Sequence, residues 1–417
     1  MLGKFAEKDE LELFRSRLEN MLNMRHELVL LAHAIDWSYF EQEFAPLYSQ
    51  RGAKSKPIRL MVGCLLLKHL YNLSDENLVK NWVKNPYMQY FCGETYFQER
   101  RPFTPSELVH FRNRLGMSGI EKIFVASIKM HGKDAEEKQV VSDTTVQGNF
   151  ITFPTDAKQY YRIIKYCNKI SKEAGVKQRQ SYLHVGKDLL RATHNAKHPK
   201  RAKRSQAAYR HLRVIVGRLL RELDRILNAE FKEKYKELLS NCKKVYEQEK
   251  DSKDKIYSLH KPYTSCIAKG KVDKQYEFGG KIGIVATAKS KIIVATWAFQ
   301  GNPHDSTTIA PLLGQEKKNG IPLAKEMGYD KGGRGPKVVE GVKILTPNKP
   351  KKDDTEYEKR KKRKLFRARA GIEAIFSHLK HDFRMQENFL LGEDTCTINA
   401  MLACTAWNLK KFVMMLS

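Results

Sequence analysis

Residues 139–153 read QVVSDTTVQGNFITF, and this stretch decides the fold class. Here the helical spacing of apolar residues gives way to an alternating pattern rich in β-branched residues. Apolar and polar residues alternate in its first part, as in a strand that buries one face. The pattern predicts a strand, a turn at Gly148 and a second short strand. Alternation also puts Asp143 on the same face as Val141 and Thr145, where a charge is costly unless it is paired or bound to a metal ion. The simpler interpretation of Asp143 is an aspartate that begins a turn at the end of a strand.

The net charge of the whole chain indicates the class of molecule that it binds. The chain has 417 residues, and 76 lysines and arginines against 47 aspartates and glutamates give a formal net charge of +29. A protein that repels itself this strongly usually neutralises a polyanion, so nucleic acid is the leading partner and an anionic membrane surface the second. No apolar stretch approaches a bilayer span, and the N-terminus lacks the apolar segment of a secretory signal. Seven scattered cysteines predict neither a disulfide framework nor a zinc site, and they favour a reducing cytoplasm.

Hydrophobic periodicity predicts two domains, one of them interrupted. Helical periodicity over residues 11–116 predicts an all-helical N-terminal domain, which we place at residues 1–130. Residues 138–417 are expected to form an α/β domain, in which residues 156–250 have helical spacing and predict a helical insertion. After the insertion, a strand pattern predicts a hairpin that turns near Lys289. A helix, two short extended segments and C-terminal helices are expected to follow it. Strands divided by a helical insertion predict a mixed sheet with flanking helices.

One helix of the N-terminal domain is a candidate DNA contact. Thr104 and Glu107 have the spacing of a capping box, at the start of a helix that Gly116 is expected to end. The polar face of this helix carries Arg112 and Arg114, and we expect it to lie on DNA. The alternative is an ordinary solvated basic face.

A second candidate carboxylate follows one of the short extended segments. Asp330 ends the run LAKEMGYD and is followed by KGGRG. Glycines after a strand-end carboxylate let the backbone approach a phosphate chain closely. The simpler interpretation is a glycine-rich surface turn. Asp305, which we expect to cap the helix after the hairpin, and Glu326 are weaker candidates.

A third candidate carboxylate lies on a C-terminal helix beside two cations. At 100° per residue, Phe366, Arg369, Glu373 and Lys380 fall within about 60° of one another, along one edge of an apolar stripe. Glu373 has the oxygen chemistry that a divalent metal prefers, while Arg369 and Lys380 are placed to hold DNA phosphates. The simpler interpretation is a surface ion pair at four-residue spacing.

A run of six cations, KRKKRK, occupies residues 359–364, just before this predicted helix. A solvated charge run is the usual interpretation of such a segment. Because it leads directly to Glu373, we expect Lys361, Lys362 and Arg363 to contact the DNA backbone.

The spacing Phe366-x2-Arg369-x3-Glu373-x6-Lys380 resembles the Y-(2)-R-(3)-E-(6)-K signature of DDE transposases of bacterial insertion sequences, with Phe366 in place of tyrosine. The sequence around these residues is similar to the C-terminal block of the insertion-sequence-five family. Asp143 in VSDTTVQ and Asp330 in YDKGGRG stand where that family has its two aspartates.

The resemblance implies an RNase H-like catalytic core in which Asp143, Asp330 and Glu373 hold two Mg²⁺ ions, with Mn²⁺ as a substitute. It implies metal-dependent cleavage at the ends of the element and strand transfer into target DNA by direct transesterification. The implied partners are double-stranded DNA, as terminal inverted repeats bound by the N-terminal domain and as target, and a second copy of the chain in a homodimer on DNA. The implied location is the bacterial cytoplasm, at the nucleoid.

Two other functions fit the same sequence. One is a non-catalytic DNA-binding protein, a domesticated or inactive derivative. The other is an RNase H-like nuclease, which cuts DNA without joining it.

Overall fold

The computed structural model describes residues 1–3, 15–49, 51–52, 54–194, 196, 198–268, 275–330, 335–346 and 354–416. The chain forms two compact units. The first consists of Met1–Gly148 together with Gly280–Ser417, and the second is Asn149–Gly279.

The first unit begins with helices, as the periodicity predicts. The α-helices are α1 (Leu18–Met21), α2 (Glu27–Ala34), α3 (Trp37–Phe44), α4 (Ile58–Leu70), α5 (Asp75–Lys84), α6 (Pro86–Phe91) and α7 (Pro105–Lys129), with 3₁₀ helices at Ala45–Leu47 and Gly132–Ala135.

The capping box is present at the start of α7, where the Thr104 backbone N–H donates to the Glu107 carboxylate at 2.6 Å. Gly116 does not end this helix. It produces a kink with a left-handed φ of 57°, after which α7 resumes.

Strand β1 (Gln139–Asn149) follows these helices at the predicted place. The predicted turn at Gly148 and the second short strand are wrong, because β1 continues to Asn149 and the described residues 150–155 form no strand. The Gly148 N–H donates to the Gln386 carbonyl at 3.0 Å, so a C-terminal segment prolongs the pairing of β1. A partner so distant in sequence leaves no local signal at residue 148.

The second unit contains the predicted helical insertion. Its elements are α8 (Asp156–Glu173), α9 (Leu183–Ala192), α10 (Pro199–Ile226), α11 (Ala229–Lys234), α12 (Lys236–Glu247) and β2 (Ser265–Ala268). Its hydrophobic core is built from the apolar faces of α8, α10 and α12, including Ile163, Ile215 and Val245. The spacing of three and four residues is what places these side chains on one face of each helix.

The chain then returns to the first unit and completes its sheet. The remaining elements are β3 (Tyr276–Thr287), β4 (Ile293–Phe299), α13 (Asp305–Lys318), β5 (Glu326–Gly328), β6 (Val338–Val339), β7 (Val342–Leu345), α14 (Glu356–His381), β8 (Glu387–Asn388) and α15 (Thr395–Leu416). The sheet runs β3-β1-β5-β7-β6, with β4 paired to β3 and β8 paired to β1. β4 is antiparallel to β3, as the predicted hairpin requires, whereas β5 is parallel to both β1 and β7. The predicted α/β class with a mixed sheet is therefore confirmed.

One hydrophobic core extends through the whole first unit. It includes Leu65 of α4, Phe124 of α7, Ile284 of β3 and Met401 of α15. Helix α15 joins these parts because it packs against α4, α7 and β4. The N-terminal helices thus share one compact unit with the sheet, and the predicted boundary between residues 130 and 138 does not separate two compact units.

Among the described residues, no helix combines the length and the apolar composition that crossing a bilayer requires.

Candidate active site

Two of the predicted carboxylates belong to neighbouring parallel strands: Asp143 lies within β1, and Asp330 follows the end of β5. Val141 of β1 is paired with Gly328 of β5, and each strand continues in the same direction. Asp143 and Asp330 stand at the same distance beyond this pair along the two strands. Parallel pairing therefore brings the two aspartates side by side, although they are far apart in sequence.

Helix α14 brings the third carboxylate to the same place. Its side towards the core is fixed by the buried residues Ile372, Ile375 and Leu379, as the apolar stripe predicts. Arg369 and Glu373 lie one turn apart along its edge and form an ion pair of 2.8 Å between Nη2 and Oε1.

The guanidinium of Arg369 also contacts both aspartates. Its Nη1 lies 3.7 Å from Asp330 Oδ1, and its Nη2 lies 3.9 Å from Asp143 Oδ2. One cation therefore contacts carboxylates from three separate elements, and we call Asp143, Asp330 and Glu373 the carboxylate cluster. The simpler interpretation of Glu373 describes its pair with Arg369 correctly, but it omits the two aspartates that share that arginine.

Asp143 has the most perturbed environment of the carboxylate cluster. Burial is the largest influence and raises the pKa of this carboxyl to about 6, and the charges of Asp330 and Asp305 act in the same direction. The hydrogen bond of 2.7 Å from the Thr144 N–H to Asp143 Oδ1 and the charge of Arg369 oppose this rise. A carboxyl that titrates so close to neutrality is typical of a functional site.

Asp305 is part of this site, which differs from its predicted role as a helix cap. The residue before it, His304, caps α13 by accepting from the Ser306 N–H at 3.3 Å. Asp305 Oδ1 instead lies 2.6 Å from Lys281 Nζ and accepts from Thr144 Oγ1 at 3.0 Å. The sequence contains one signal of this, because Lys281 is a single cation within the otherwise apolar run FGGKIGIVAT.

We expect Asp305→Asn to lower the pKa of Asp143 below about 6. The substitution removes a negative charge that favours the protonated carboxyl and leaves the Lys281 cation in place. Carbon-detected NMR titration of Asp143 measures the shift directly. An unchanged or higher pKa contradicts this electrostatic coupling, and Glu326→Gln, at the start of β5, is the control.

The predicted DNA contacts on α7 are only partly accessible. Arg112 is buried, with 6% exposure, and its Nη2 lies 3.8 Å from a carboxylate oxygen of Asp75. Its predicted place on an accessible polar face is therefore wrong, because this side chain faces Asp75 of α5. Arg114 is exposed and stacks over the ring of Tyr48 at 4.4 Å, so a contact with DNA remains a prediction for it.

The cation run lies within α14 and does not precede it as a separate segment. Lys362 is half-buried and pairs with Asp354 at 2.6 Å, whereas Arg363 is exposed. The side chains of Lys361 and Phe366 lie outside the described part of the chain. Lys380 is half-buried about two turns beyond Glu373 on the same helix.

The donor chemistry of the carboxylate cluster fits a hard divalent cation, because carboxylate oxygens are the preferred ligands of Mg²⁺ and Mn²⁺. The buried position of Asp143, where its negative charge is destabilised in the absence of a cationic ligand, agrees with such a role. In the described part of the chain, however, no three acidic, histidine or cysteine side chains are close enough together to hold one ion. The Arg369 guanidinium lies among the three carboxylates in this arrangement.

Comparisons with known proteins give the family. Residues 16–114 match a transposase domain (DUF772), and residues 244–409 match the transposase DDE domain. A curated relative, "Uncharacterized protein ORF8 in nfe locus" of Rhizobium meliloti, is 38% identical over 181 residues, which are 42% of this chain and 87% of the relative. No solved structure is significantly similar to the chain. The chain belongs to the DDE transposases of insertion sequences.

Proposed function

We propose that this transposase cuts DNA at the ends of its element and joins the freed 3′ ends to target DNA by direct transesterification, with divalent metal ions held by Asp143, Asp330 and Glu373. The observation that carries the proposal is the convergence of these three carboxylates, from β1, the segment after β5 and α14, on the single guanidinium of Arg369. Three acidic groups from distant parts of a sequence gather at one point of a fold only against their mutual repulsion. A shared cationic ligand is the usual reason for such an arrangement.

We propose that the sheet and its helices form an RNase H-like core. The order of strands supports this proposal: an antiparallel hairpin, β3 and β4, lies next to β1, and the parallel strands β5 and β7 follow on the other side. In such an arrangement Asp143 lies within β1, and Asp330 lies beside it just beyond the end of β5. The helical second unit then interrupts the core between its first strand and its hairpin.

The chain's own residues have distinct roles in the proposed reaction. Asp143, Asp330 and Glu373 would hold divalent metal ions, which when bound would supply Lewis acidity to the phosphodiester. The pair of Lys281 and Asp305 holds Thr144 and so orients the residue next to Asp143. Arg369 and Lys380 are proposed to bind DNA phosphates beside the cluster, on a homodimer that holds two element ends together.

A plasmid assay tests this function. A supercoiled plasmid carrying matched element ends is incubated with the protein in Mg²⁺, and a parallel sample contains EDTA. Metal-dependent nicking together with joined products supports the transposase reaction. Intact DNA with retarded mobility would indicate a non-catalytic binding protein, and cut DNA that is never joined would indicate a nuclease.

We expect Arg363→Ala to flatten the salt dependence of DNA binding, lowering the log–log slope by about 0.9. Arg363 is an exposed cation of the run in α14, so it is free to neutralise one phosphate. Lys362→Ala should change the slope less, because Lys362 already pairs with Asp354. Fluorescence anisotropy at several salt concentrations gives the slope. Lys359→Ala, which removes a cation paired with Glu356 at 3.1 Å, is the control. Equal slopes for Arg363→Ala and the unsubstituted protein would remove Arg363 from the proposed interface.

A further inference from the structure

Helix α10 of the second unit has two contrasting faces. One face packs against α8, α9 and α12 through buried residues that include Leu212, Ile215 and Leu219. The opposite face is exposed and carries Lys203, Arg210, Arg218 and Arg221. At 100° per residue these four cations fall within about 80° of one another, and they extend along about 27 Å of the helix.

Neighbouring acidic groups do not neutralise this row of cations, which we call the α10 basic face. Asp224, beside the row, lies 3.9 Å from Lys232 and 3.8 Å from Lys243. Glu222, on the other side, accepts from the Arg179 backbone N–H at 2.7 Å. In the part of the chain that the structure describes, no carboxylate lies within ion-pair distance of the four cations. Their charge is therefore available to a partner.

We propose that the α10 basic face binds the sugar-phosphate backbone of duplex DNA without regard to sequence, an inference that rests on the proposed DNA-processing function. A straight row of cations matches a linear polyanion, since about 27 Å of duplex presents on the order of 16 phosphates. A single phosphate or nucleotide would need a pocket, which a convex helix face does not form. A membrane surface is a poorer match, because amphipathic membrane helices expose large apolar side chains and this face exposes only Val214 among them.

The test measures the salt dependence of binding to a short duplex that lacks element ends. The four substitutions Lys203→Gln, Arg210→Gln, Arg218→Gln and Arg221→Gln together should lower the log–log slope by about 3.6. The matched control replaces by glutamine four cations of α11 and α12 that already have acidic partners: Lys232, Lys234, Lys236 and Lys243. Both variants lose the same net charge from the same unit, so only the position of the charge differs.

A slope that falls by less than about 1 in the α10 variant, or by an equal amount in both variants, would overturn the proposal. Far-ultraviolet circular dichroism confirms that both variants are folded. Arg210→Gln with Arg221→Gln alone, with an expected fall of about 1.8, provides the measurement if the fourfold variant does not fold. This assay requires no cleavage, so loss of the α10 interface is distinguishable from absence of the proposed catalysis.

A second and independent observation concerns Arg369. Its guanidinium contacts all three members of the carboxylate cluster, and its Nε is buried without a hydrogen-bond partner among the described residues. A buried donor with no partner is costly, so this side chain is held by its ion pairs and not by an optimised hydrogen-bond network. Such a contact can be exchanged for another without loss of packing.

We infer that Arg369 serves as an internal counter-ion of the carboxylate cluster in the DNA-free protein and competes there with divalent metal. An incoming DNA phosphate can accept two parallel hydrogen bonds from the guanidinium, whereas two of its three present contacts with carboxylates are as long as 3.7 and 3.9 Å. Withdrawal of Arg369 would then remove a competing positive charge from the carboxylate cluster and so favour metal binding there. The inference assigns Arg369 a positioning role, and it rests on the proposed metal site.

Calorimetric titration of the DNA-free protein with Mn²⁺ tests this role. Arg369→Ala should bind Mn²⁺ about tenfold more tightly than the unsubstituted protein, a coupling of ordinary size between two ligands of one site. Arg369→Lys, which retains the charge with fewer donors, should lie between them. Arg367→Ala removes an exposed cation of the same helix and should leave the affinity unchanged.

An affinity for Mn²⁺ that is unchanged or weaker in Arg369→Ala would contradict the competition. Circular dichroism establishes whether that variant is folded, and Arg369→Gln replaces it if it is not. If no variant or control binds Mn²⁺ at all, the proposed metal site itself is wrong, which separates the two failures.

Discussion

Asp143→Asn or Glu373→Gln is expected to lower the rate of DNA nicking by at least about three orders of magnitude, while binding to DNA is retained. Both substitutions preserve the size of the side chain and replace a charged oxygen ligand by a neutral amide. In the proposed reaction these carboxylates fix the position of the charge that stabilises the attacking and leaving oxygens. A neutral amide does not supply the negative charge that the carboxylate supplies. The substitution therefore lowers the rate of the chemical step and leaves the affinity for DNA unchanged.

The plasmid nicking rate in Mg²⁺ measures the first quantity, and fluorescence anisotropy with a duplex carrying an element end measures the second. Glu326→Gln is the matched control, because it removes a carboxylate at the start of the strand that leads to Asp330 and has no contact with Arg369 among the described ion pairs. Nicking by either cluster variant within about tenfold of the unsubstituted rate would exclude that carboxylate from the reaction.

Local patterns offered each member of the carboxylate cluster as a candidate beside a simpler interpretation, and the resemblance to the DDE transposases decided between them. Strand alternation offers Asp143, the end of a short extended run offers Asp330, and the edge of an apolar stripe offers Glu373. What local patterns do not contain is the register that brings them together. The pairing of Val141 with Gly328 unites residues nearly two hundred positions apart, and only the folded sheet determines it.

The residues that the sequence did not reveal depend on long-range contacts. Asp305 stands where a loop meets a helix, which in sequence is the ordinary place of a capping residue. In the structure His304 occupies the capping position, and the approach of Lys281 from β3 gives Asp305 another role. The domain boundary near residue 130 was predicted from the change from helical spacing to strand alternation. That local change does not show how the segments pack, and the apolar side chains of α15 form one hydrophobic core together with those of α4 and α7.

The burial of Arg112 likewise depends on a contact that is distant in sequence. Its helical position suggested a polar face, yet the side chain is buried beside Lys68, which is also buried with 4% exposure. A single carboxylate, Asp75, contacts both cations, at 2.6 Å from Lys68 Nζ and 3.8 Å from Arg112 Nη2. Burial lowers the pKa of Lys68 to about 8, and the attraction of Asp75 opposes this shift without cancelling it. The pKa of Lys68 would rise above its usual value if the ion pair dominated, so desolvation is the larger effect here.

Asp75→Asn should therefore lower the free energy of unfolding by about 3–5 kcal/mol at about pH 7, because two buried cations lose their shared counter-ion. The loss should shrink as pH rises. The pKa of about 8 belongs to Lys68 in the unsubstituted folded protein, and loss of the Asp75 charge lowers the pKa of Lys68 further in the variant. Between that lower pKa and about 8, the folded variant has released this proton while the folded unsubstituted protein still binds it, so the stability of the variant relative to the unsubstituted protein increases with pH. Above about 8 both folded proteins have released the proton, and the difference between them stays constant.

Urea unfolding followed by tryptophan fluorescence, at about pH 7 and again at about pH 9.5, measures the difference at each pH. Arg112 retains its charge throughout, so part of the loss should persist at the higher value. Glu76→Gln is the matched control: it removes an exposed carboxylate from the same turn of α5 and should change the free energy of unfolding by less than about 0.5 kcal/mol. A loss below about 1 kcal/mol for Asp75→Asn at the lower pH would mean that the buried cations find other partners. A loss of equal size at both pH values would instead assign the effect to Arg112 alone, since only Lys68 changes its charge in that interval.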